Sequence, residues 1–178
     1  MPTHLARIKE STAAEVCANF DLDEGAKCLL RDGMSPQEFV DALIQKESYV
    51  DAIEFLAHAL PVREGIWWGG LCMQQALGED LSAADKVAAT AALRWLMEPG
   101  EKNRLAAAVP AQSADPVSPA GALALAASQT AKAPPFASAR AIARAVTLAS
   151  LKNESVGIAK LQRAYVELGL VVAEGQVI

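Results

Sequence analysis

Apolar side chains recur at helical spacing along most of this 178-residue chain. Between positions 36 and 46, for example, Phe39, Val40 and Leu43 fall on one face of a helix. No alternating apolar and polar run is bounded by an Asn-Gly or Asp-Gly turn, so no β-hairpin is predicted. The helical periodicity predicts the longer helices over 36–46, 50–60, 61–77, 83–97, 119–131, 138–151 and 155–168.

Capping residues indicate where several of these helices begin. Ser35-Pro36-Gln37-Glu38 combines a capping serine, a proline at the first helical position and a glutamate three residues after the cap. Together these residues satisfy backbone donors that a helix start leaves free. Thr12 begins a similar motif, and Ser48, Ser82 and Ser118 are predicted to begin three further helices.

Glycine and proline indicate where helices end. Gly78 is predicted to end the helix over 61–77, and Gly169 the last helix. A short helix over 101–109 is predicted to end near Pro110, because proline lacks a backbone N–H and clashes with the preceding turn. Two prolines within 132–135 predict an extended segment there.

The composition favours closely packed helices. Alanine occupies about a fifth of the positions and aromatic residues 5%, and alanine is the best helix former because it loses no side-chain entropy. A chain of this length suits one domain that buries its own core. The sequence therefore predicts an all-α fold, in which a single domain over 1–178 contains about eight to nine antiparallel helices. Stacked helical hairpins are one arrangement of them, and the segment 1–11 is expected to be weakly ordered.

Charge and cysteine content narrow the expected partners and compartment. The net charge of −5 disfavours nucleic acid and anionic membranes as partners. Cys17, Cys28 and Cys72 are an odd number without Cys-x-x-Cys spacing, which favours a reducing, cytoplasmic location. No apolar stretch approaches the roughly 20 residues that cross a bilayer, and the first ten residues lack an apolar signal segment. Neither membrane insertion nor secretion is therefore expected.

The segment 60–70 concentrates unusual residues. On a helix, the adjacent Trp67 and Trp68 point about 100° apart, so only one can face the centre of a single interface. Arg63 precedes Trp67 by four residues, a spacing at which a guanidinium can lie over an indole ring, and Glu64 precedes Trp68 by four. Because Trp and Arg dominate interface hot spots, these four residues are a candidate recognition surface. The alternative is a core helix whose charged groups reach the surface.

Residues that could carry catalysis or bind a metal are few. His58 follows Glu54 by four residues, which is not the Glu-x-x-His spacing of metal sites, and no second His or Cys ligand is close in sequence. Cys72 has no identifiable base beside it. Nucleophile-elbow, phosphate-loop and dinucleotide motifs are absent from the sequence. The sequence therefore predicts no catalytic residue, no metal and no cofactor.

The run 51–68 resembles an uncharacterised bacterial family of small all-helical proteins. The family's mark is a Leu-Ala-His-Ala-Leu-Pro-x-Arg-Glu-Ala-x-Trp-Trp run, followed later by a Trp and a Pro. The chain carries this run from Leu56 to Trp68, with Trp95 and Pro99 at the later positions and Gly65 in place of the alanine. The resemblance implies a place among accessory proteins of bacterial secretion systems, type VI in particular, and hence an adaptor, chaperone or scaffold.

The sequence supports two hypotheses of different classes. The first is a non-enzymatic protein-interaction module that binds a protein partner, such as a secreted effector or a secretion component. Its binding residues would be Arg63, Glu64, Trp67, Trp68 and His58. The second is a small-ligand-binding or hydrolytic domain that uses His58, Glu54 and Arg63 in a pocket between helices. The oligomeric state is left open.

Overall fold

A computed structural model describes residues 5–131, 136–153 and 155–175. These residues form ten α-helices and no β-strand, which confirms the all-α prediction with one or two helices more than expected. The helices are α1 (Ala13–Cys17), α2 (Glu24–Lys27), α3 (Pro36–Gln45), α4 (Tyr49–Ala59), α5 (Val62–Leu77), α6 (Ala83–Met97), α7 (Glu101–Ser113), α8 (Pro119–Ser128), α9 (Phe136–Ser150) and α10 (Ile158–Ala173).

Side-chain caps begin four of these helices at predicted positions. The Ser35 hydroxyl accepts a hydrogen bond from the Glu38 N–H at 3.3 Å, and the Ser35 N–H donates to the Glu38 carboxylate at 2.8 Å. This capping box opens α3, and Thr12 begins an equivalent one at α1. Ser82 and Ser118 accept backbone N–H groups in the first turns of α6 and α8. The start signals read from the sequence therefore reflect real caps.

Ser48 is the residue after which α4 begins, as predicted, but the expected side-chain cap is wrong, because its side chain makes no capping hydrogen bond. Glu47 adopts a left-handed conformation with φ of 57°. The Glu47 N–H donates to the Ile44 carbonyl at 3.0 Å, and the Ser48 N–H donates to the Leu43 carbonyl at 2.9 Å. These two bonds form a Schellman turn. The backbone of Ser48 thus closes α3, and α4 follows directly.

The predicted helix ends at Gly78 and Pro110 have opposite outcomes. Gly78 ends α5 with φ of 54°, as predicted. The prediction at Pro110 is wrong, because α7 runs on to residue 113. The Pro110 carbonyl still accepts a hydrogen bond from the Ala114 N–H at 3.1 Å, and α7 packs along both α6 and α8. Tertiary packing therefore outweighs the lost backbone bond. The predicted extended segment 132–135 lies outside the described residues.

The helices are arranged around α8 and α9. Eight of the ten residues of α8 are buried, and most of them are alanine, so that α5, α6, α7 and α9 all pack against this helix. α9 in turn contacts α4, α5 and α10. Because α4 and α5 pack mainly on α9 rather than on each other, the layout is a cluster around two buried helices and not a row of stacked hairpins.

Glycines allow α5 to lie close to these two helices. A Cβ atom at Gly65 would lie 2.8 Å from the Ile142 Cδ1 atom of α9. A Cβ atom at Gly69 would lie 2.6 Å from the Leu123 Cδ2 atom of α8. Both distances are shorter than carbon atoms tolerate, so a side chain at either glycine would require the flexible end of Ile142 or Leu123 to shift. The shared face of Gly65 and Gly69 therefore receives side-chain ends, not a facing backbone.

Gly169 lies inside α10, so the prediction that it ends the last helix is wrong. A Cβ atom there would lie 2.9 Å from the Trp68 Cε2 atom and 3.0 Å from the Leu56 Cδ1 atom. The indole of Trp68 thus occupies the place where a side chain of α10 would stand. The glycine permits this contact and leaves the helix intact as far as Ala173.

The segment before α1 contacts the rest of the protein, although residues 1–11 were expected to be weakly ordered. Leu5 and Ile8 are buried with exposed fractions of 7% and 9%. The Arg7 N–H donates to the Ala173 carbonyl at 2.8 Å. The segment therefore satisfies a free carbonyl at the end of α10. Residues 1–4 lie outside the described residues.

Two glycine substitutions should have opposite effects on stability. A Cβ atom at Gly70 would meet nothing within 4 Å, so Gly70→Ala should raise the free energy of unfolding by about 0.5–1 kcal/mol through its higher helix propensity. Gly169→Ala should lower it by about 1–3 kcal/mol, because the rigid indole of Trp68 must move. Urea unfolding of both variants tests this, and a stable Gly169→Ala protein would contradict the packing.

Candidate functional site

The two adjacent tryptophans have different environments. Trp68 is fully buried, and its indole N–H donates to the Tyr165 carbonyl of α10 at 2.8 Å. Trp67 keeps 38% of its surface exposed. Trp68 therefore belongs to the core, as the alternative interpretation of this helix required, and cannot meet a partner. Trp67 remains accessible to one.

Arg63 connects the start of α5 to the end of α6. Its Nε atom donates to the Leu96 carbonyl at 3.1 Å. Among the described residues, no cation–π contact joins Arg63 to Trp67. The Arg63 side chain instead stabilises a carbonyl near the C-terminus of α6, where a positive charge is favoured. Arg63 thus brings the two helices together close to the exposed ring of Trp67.

Glu64 points away from the Arg63 contact. One of its carboxylate oxygens lies 3.9 Å from the Arg7 guanidinium, and both side chains are partly exposed. An ion pair of this length at the surface contributes little to stability. The four candidate residues of α5 therefore do not share one environment. Trp68 lies in the core, and the ring of Trp67 is partly exposed. Arg63 and Glu64 make polar contacts with different segments of the chain.

His58 lies in an aromatic enclosure. Its side chain is only 2% exposed, and its ring stacks on Phe20 with centroids 4.5 Å apart and planes 15° apart. The Phe136 ring lies at 6.2 Å with a tilt of 45°. The Nε2 atom lies 3.3 Å from a Glu54 carboxylate oxygen, yet it has no hydrogen bond of acceptable geometry among the described residues. The enclosure combines burial with an unsatisfied ring nitrogen.

Of the three residues proposed for a small-ligand pocket, the structure places His58 and Glu54 together and Arg63 elsewhere. The structure brings His58 and Glu54 together, as their i, i+4 spacing allows. Arg63 hydrogen-bonds to α6 and does not line the clefts beside these two residues. The cation that does line one of them is Arg140 of α9. Sequence analysis missed this role, because Arg140 is 82 positions from His58 and only the packing of α9 on α4 relates them.

An exposed apolar surface lies on α5, α6 and α7. Of eleven large hydrophobic side chains exposed in the described residues, six belong to these three helices. We call this set the outer face: Trp67, Val87, Leu93, Met97, Leu105 and Val109. Met97 is 81% exposed and Val109 69%. The hydrophobic periodicity does not predict the outer face. On an alanine-rich helix more than one side is apolar, so the sequence does not show which side faces solvent.

A groove between α6 and α7 adjoins this outer face at Val87. Its volume is about 310 Å³. Its apolar lining includes Val87, Ala91 and Pro110, and its charged lining residues in the described part of the chain are Lys86 and Arg94. Pro110, which was expected to end α7, thus forms part of the groove wall. An apolar groove with two cations at its edge suits an acidic, partly apolar segment.

The thiols of Cys17 and Cys72 do not have the character of nucleophiles. Burial raises the pKa of the Cys17 thiol to about 11. Burial also holds the pKa of the Cys72 thiol far above its usual range, and Cys72 is fully buried. The pKa of Tyr165 is raised to about 12, first by burial and then by the nearby Cys72. Thiols and phenols with raised pKa values stay protonated near neutral pH, so these groups favour a packing role.

No group of three or more His, Cys, Asp or Glu residues in the described part of the chain is placed to hold a metal ion. No helix in the same part of the chain is both long and apolar enough to span a membrane. The surfaces that stand out are the outer face with its groove and the enclosure of His58.

The fold and these surfaces define a small all-α domain of clustered helices. A family model matches residues 39–173, from within α3 to the end of α10. The chain therefore belongs to the family described as Family of unknown function (DUF6931), and the expected membership of an uncharacterised family is confirmed. Searches of curated proteins and of solved structures gave no match.

The two tryptophans should differ sharply in their contribution to stability. Trp68→Phe removes a buried hydrogen bond and leaves a cavity beside Gly169, so it should lower the free energy of unfolding by about 2–4 kcal/mol. Trp67→Phe should change it by about 0.5 kcal/mol or less, because this ring is partly exposed. Urea unfolding measures both, and equal losses would contradict the assignment of Trp68 alone to the core.

Thiol reactivity should follow burial. In a titration with Ellman's reagent near pH 8, the exposed Cys28 should react quickly, while Cys17 and Cys72 remain protonated and react slowly. All three should react after unfolding in denaturant. The Cys28→Ser variant serves as the control and should lose the fast phase. Two or more fast thiols in the native protein would contradict the described burial.

Proposed function

We propose that this chain is a non-enzymatic protein-interaction module whose contact surface is the outer face of α5, α6 and α7. The observation that carries the proposal is the concentration of exposed large hydrophobic side chains on these helices, six of the eleven in the described residues. Monomeric proteins rarely leave a contiguous apolar patch on the surface unless it binds something. A bound protein partner would bury such a patch and remove its apolar side chains from water.

The arrangement of the helices supports a continuous face. α6 contacts both α5 and α7, and all three pack on α8, so their outward sides form one layer. The hydrogen bond from Arg63 to Leu96 joins α5 to the end of α6. Trp67 is one turn beyond Arg63, and Met97 directly follows Leu96. The Arg63–Leu96 bond therefore brings together the segments of α5 and α6 that carry the exposed indole and the exposed methionine, two residue types that are typical of adaptable interfaces.

Charge specifies the partner segment further. The groove between α6 and α7 is lined by Lys86 and Arg94 but by no carboxylate of the described residues, although the whole chain carries a net charge of −5. A partner segment with acidic side chains would gain electrostatic complementarity there. We therefore expect an amphipathic helix of a partner protein, with an apolar stripe that enters the groove and glutamate or aspartate beside it.

The finer part of the proposal concerns the biological setting. The resemblance of the run 51–68 supports an adaptor or chaperone-like role in a bacterial secretion system, type VI in particular. In that setting, the partner would be a secreted effector or a secretion component. The three free cysteines, Cys17, Cys28 and Cys72, support a cytoplasmic location for this role. The identity of the partner decides this part of the proposal.

Binding of a synthetic helical peptide tests the contact surface. The peptide carries leucines at i, i+3, i+4 and i+7 with flanking glutamates and a fluorescent label, and its anisotropy is followed during titration. Val87→Glu should weaken binding at least about tenfold, because it places a carboxylate in the groove. Val50→Glu is the matched control, since Val50 and Val87 are exposed to 55% and 57% but Val50 lies on α4.

Two outcomes would overturn the assignment. One is an equal loss of affinity in Val50→Glu, and the other is equal affinity for a peptide in which lysine replaces glutamate.

The same two positions can carry a photo-crosslinking residue in the native host. We expect a protein crosslinked from position 87 but not from position 50, and the crosslinked segment should be acidic and helical.

A further inference from the structure

A second site lies on another part of the molecule, around the ring of His58. Two adjoining clefts meet there, with volumes of about 230 Å³ and 360 Å³. Asn19 and Phe136 line both clefts, so the two spaces share a wall. Together they have the size of a pocket for a small molecule. His58 itself lines the smaller cleft.

The buried polar atom at this site is the strongest sign of a ligand. The His58 side chain is 98% buried, because its exposed fraction is 2%. Its Nε2 atom lies 3.3 Å from a Glu54 carboxylate oxygen without the geometry of a hydrogen bond, and it has no other partner among the described residues. Buried polar groups in native proteins are almost always hydrogen-bonded, and an exception requires a physical explanation. A polar group of a small molecule in the smaller cleft could supply the missing bond.

The larger cleft contains charges of both signs. Asp21 and Glu54 provide carboxylates, and Arg140 provides a guanidinium. Among the described residues, neither Asp21 nor Arg140 forms an ion pair within 4 Å, and the partner of Glu54 is His58. Unpaired charges of opposite sign at one cleft are suited to a molecule that itself carries both signs. A carboxylate would bind Arg140, and an ammonium group would bind Asp21 or Glu54.

The aromatic residues define the remaining chemistry. Phe20 and Phe136 line the larger cleft, and each also contacts the ring of His58. Their rings offer an apolar surface for the body of a ligand and a favourable face for its ammonium group. We propose that the clefts around His58 form a binding site for a compact zwitterion with an apolar body, that is, an amino acid. This site is separate from the outer face and does not depend on the proposed protein partner.

Ligand binding can be tested directly on the full chain. The probes are the proteinogenic L-amino acids, screened by thermal shift and by saturation-transfer NMR. For L-leucine, the matched analogues are 3-methylbutylamine, which lacks the carboxylate, and 4-methylpentanoate, which lacks the ammonium group. We expect at least one amino acid to bind at millimolar or lower concentration, and its amine-only and acid-only analogues to bind at least about tenfold more weakly.

Variants of one helix then locate the site. Arg140→Gln should weaken binding of that amino acid at least about tenfold, without lowering the melting temperature of the free protein, because Arg140 is exposed. Arg144→Gln is the matched control, since Arg144 lies one turn further along α9 and donates to the Pro116 carbonyl instead. It should leave affinity unchanged. A side-chain nitrogen NMR signal of His58 that shifts on binding would place the ligand beside the ring.

Three results would overturn the inference. The first is that no amino acid binds at concentrations up to about 10 mM. The second is that an amine or a carboxylic acid alone binds as tightly as the amino acid, which would make the site one for a simple ion. The third is that Arg144→Gln and Arg140→Gln lose affinity equally. None of these results bears on the peptide titration at the outer face, so the two proposals can fail separately.

Discussion

The contact of Trp68 with α10 is the constraint on which the rest of the structure depends. The indole lies against the backbone at Gly169 and donates its N–H to the Tyr165 carbonyl one turn earlier. One residue thus fixes both the separation and the axial position of two helices that are distant in sequence. Gly65 and Gly69, on the same helix as Trp68, leave room for the side-chain ends of Ile142 in α9 and Leu123 in α8. The large side chain and the two glycines together place α5 between three neighbouring helices.

A core built in this way moves larger apolar residues outward. α8 contributes mostly alanine to the centre, so the helices around it approach closely and leave little room for bulky side chains. Among the valine, leucine and methionine residues of α6 and α7, only Leu96 is buried, and the others are exposed at the surface. An exposed apolar surface of this kind favours the binding of another molecule that removes it from water. The packing of the core and the interaction role proposed for the outer face therefore have the same origin.

The two proposed sites use different chemistry. The outer face combines apolar side chains with the cations Lys86 and Arg94, and it suits a large, acidic, apolar partner. The clefts around His58 combine partly buried aromatic rings with unpaired charges of both signs, and they suit a small zwitterion. A helical domain can carry both, because the two sites share only α5, which contributes Val62 to the smaller cleft and Trp67 to the outer face. Whether one ligand influences the other depends on α5, which follows α4 in the chain and contacts α6.

The sequence by itself determined the helical class, most helix starts and the ends marked by strong local signals. Caps such as Ser35 and Ser82 and the stop at Gly78 act through bonds within a few residues, so local sequence is sufficient for them. It also predicted that His58 lies beside Glu54, because one helical turn relates them. Only the tertiary structure decided that Trp68 lies in the core while Trp67 is accessible. It also decided that α7 continues past Pro110 and α10 past Gly169. Finally, it decided that Arg140 rather than Arg63 lines one of the clefts at His58. Each of these depends on contacts between helices far apart in sequence, whose energies exceed the local preferences that the sequence reveals.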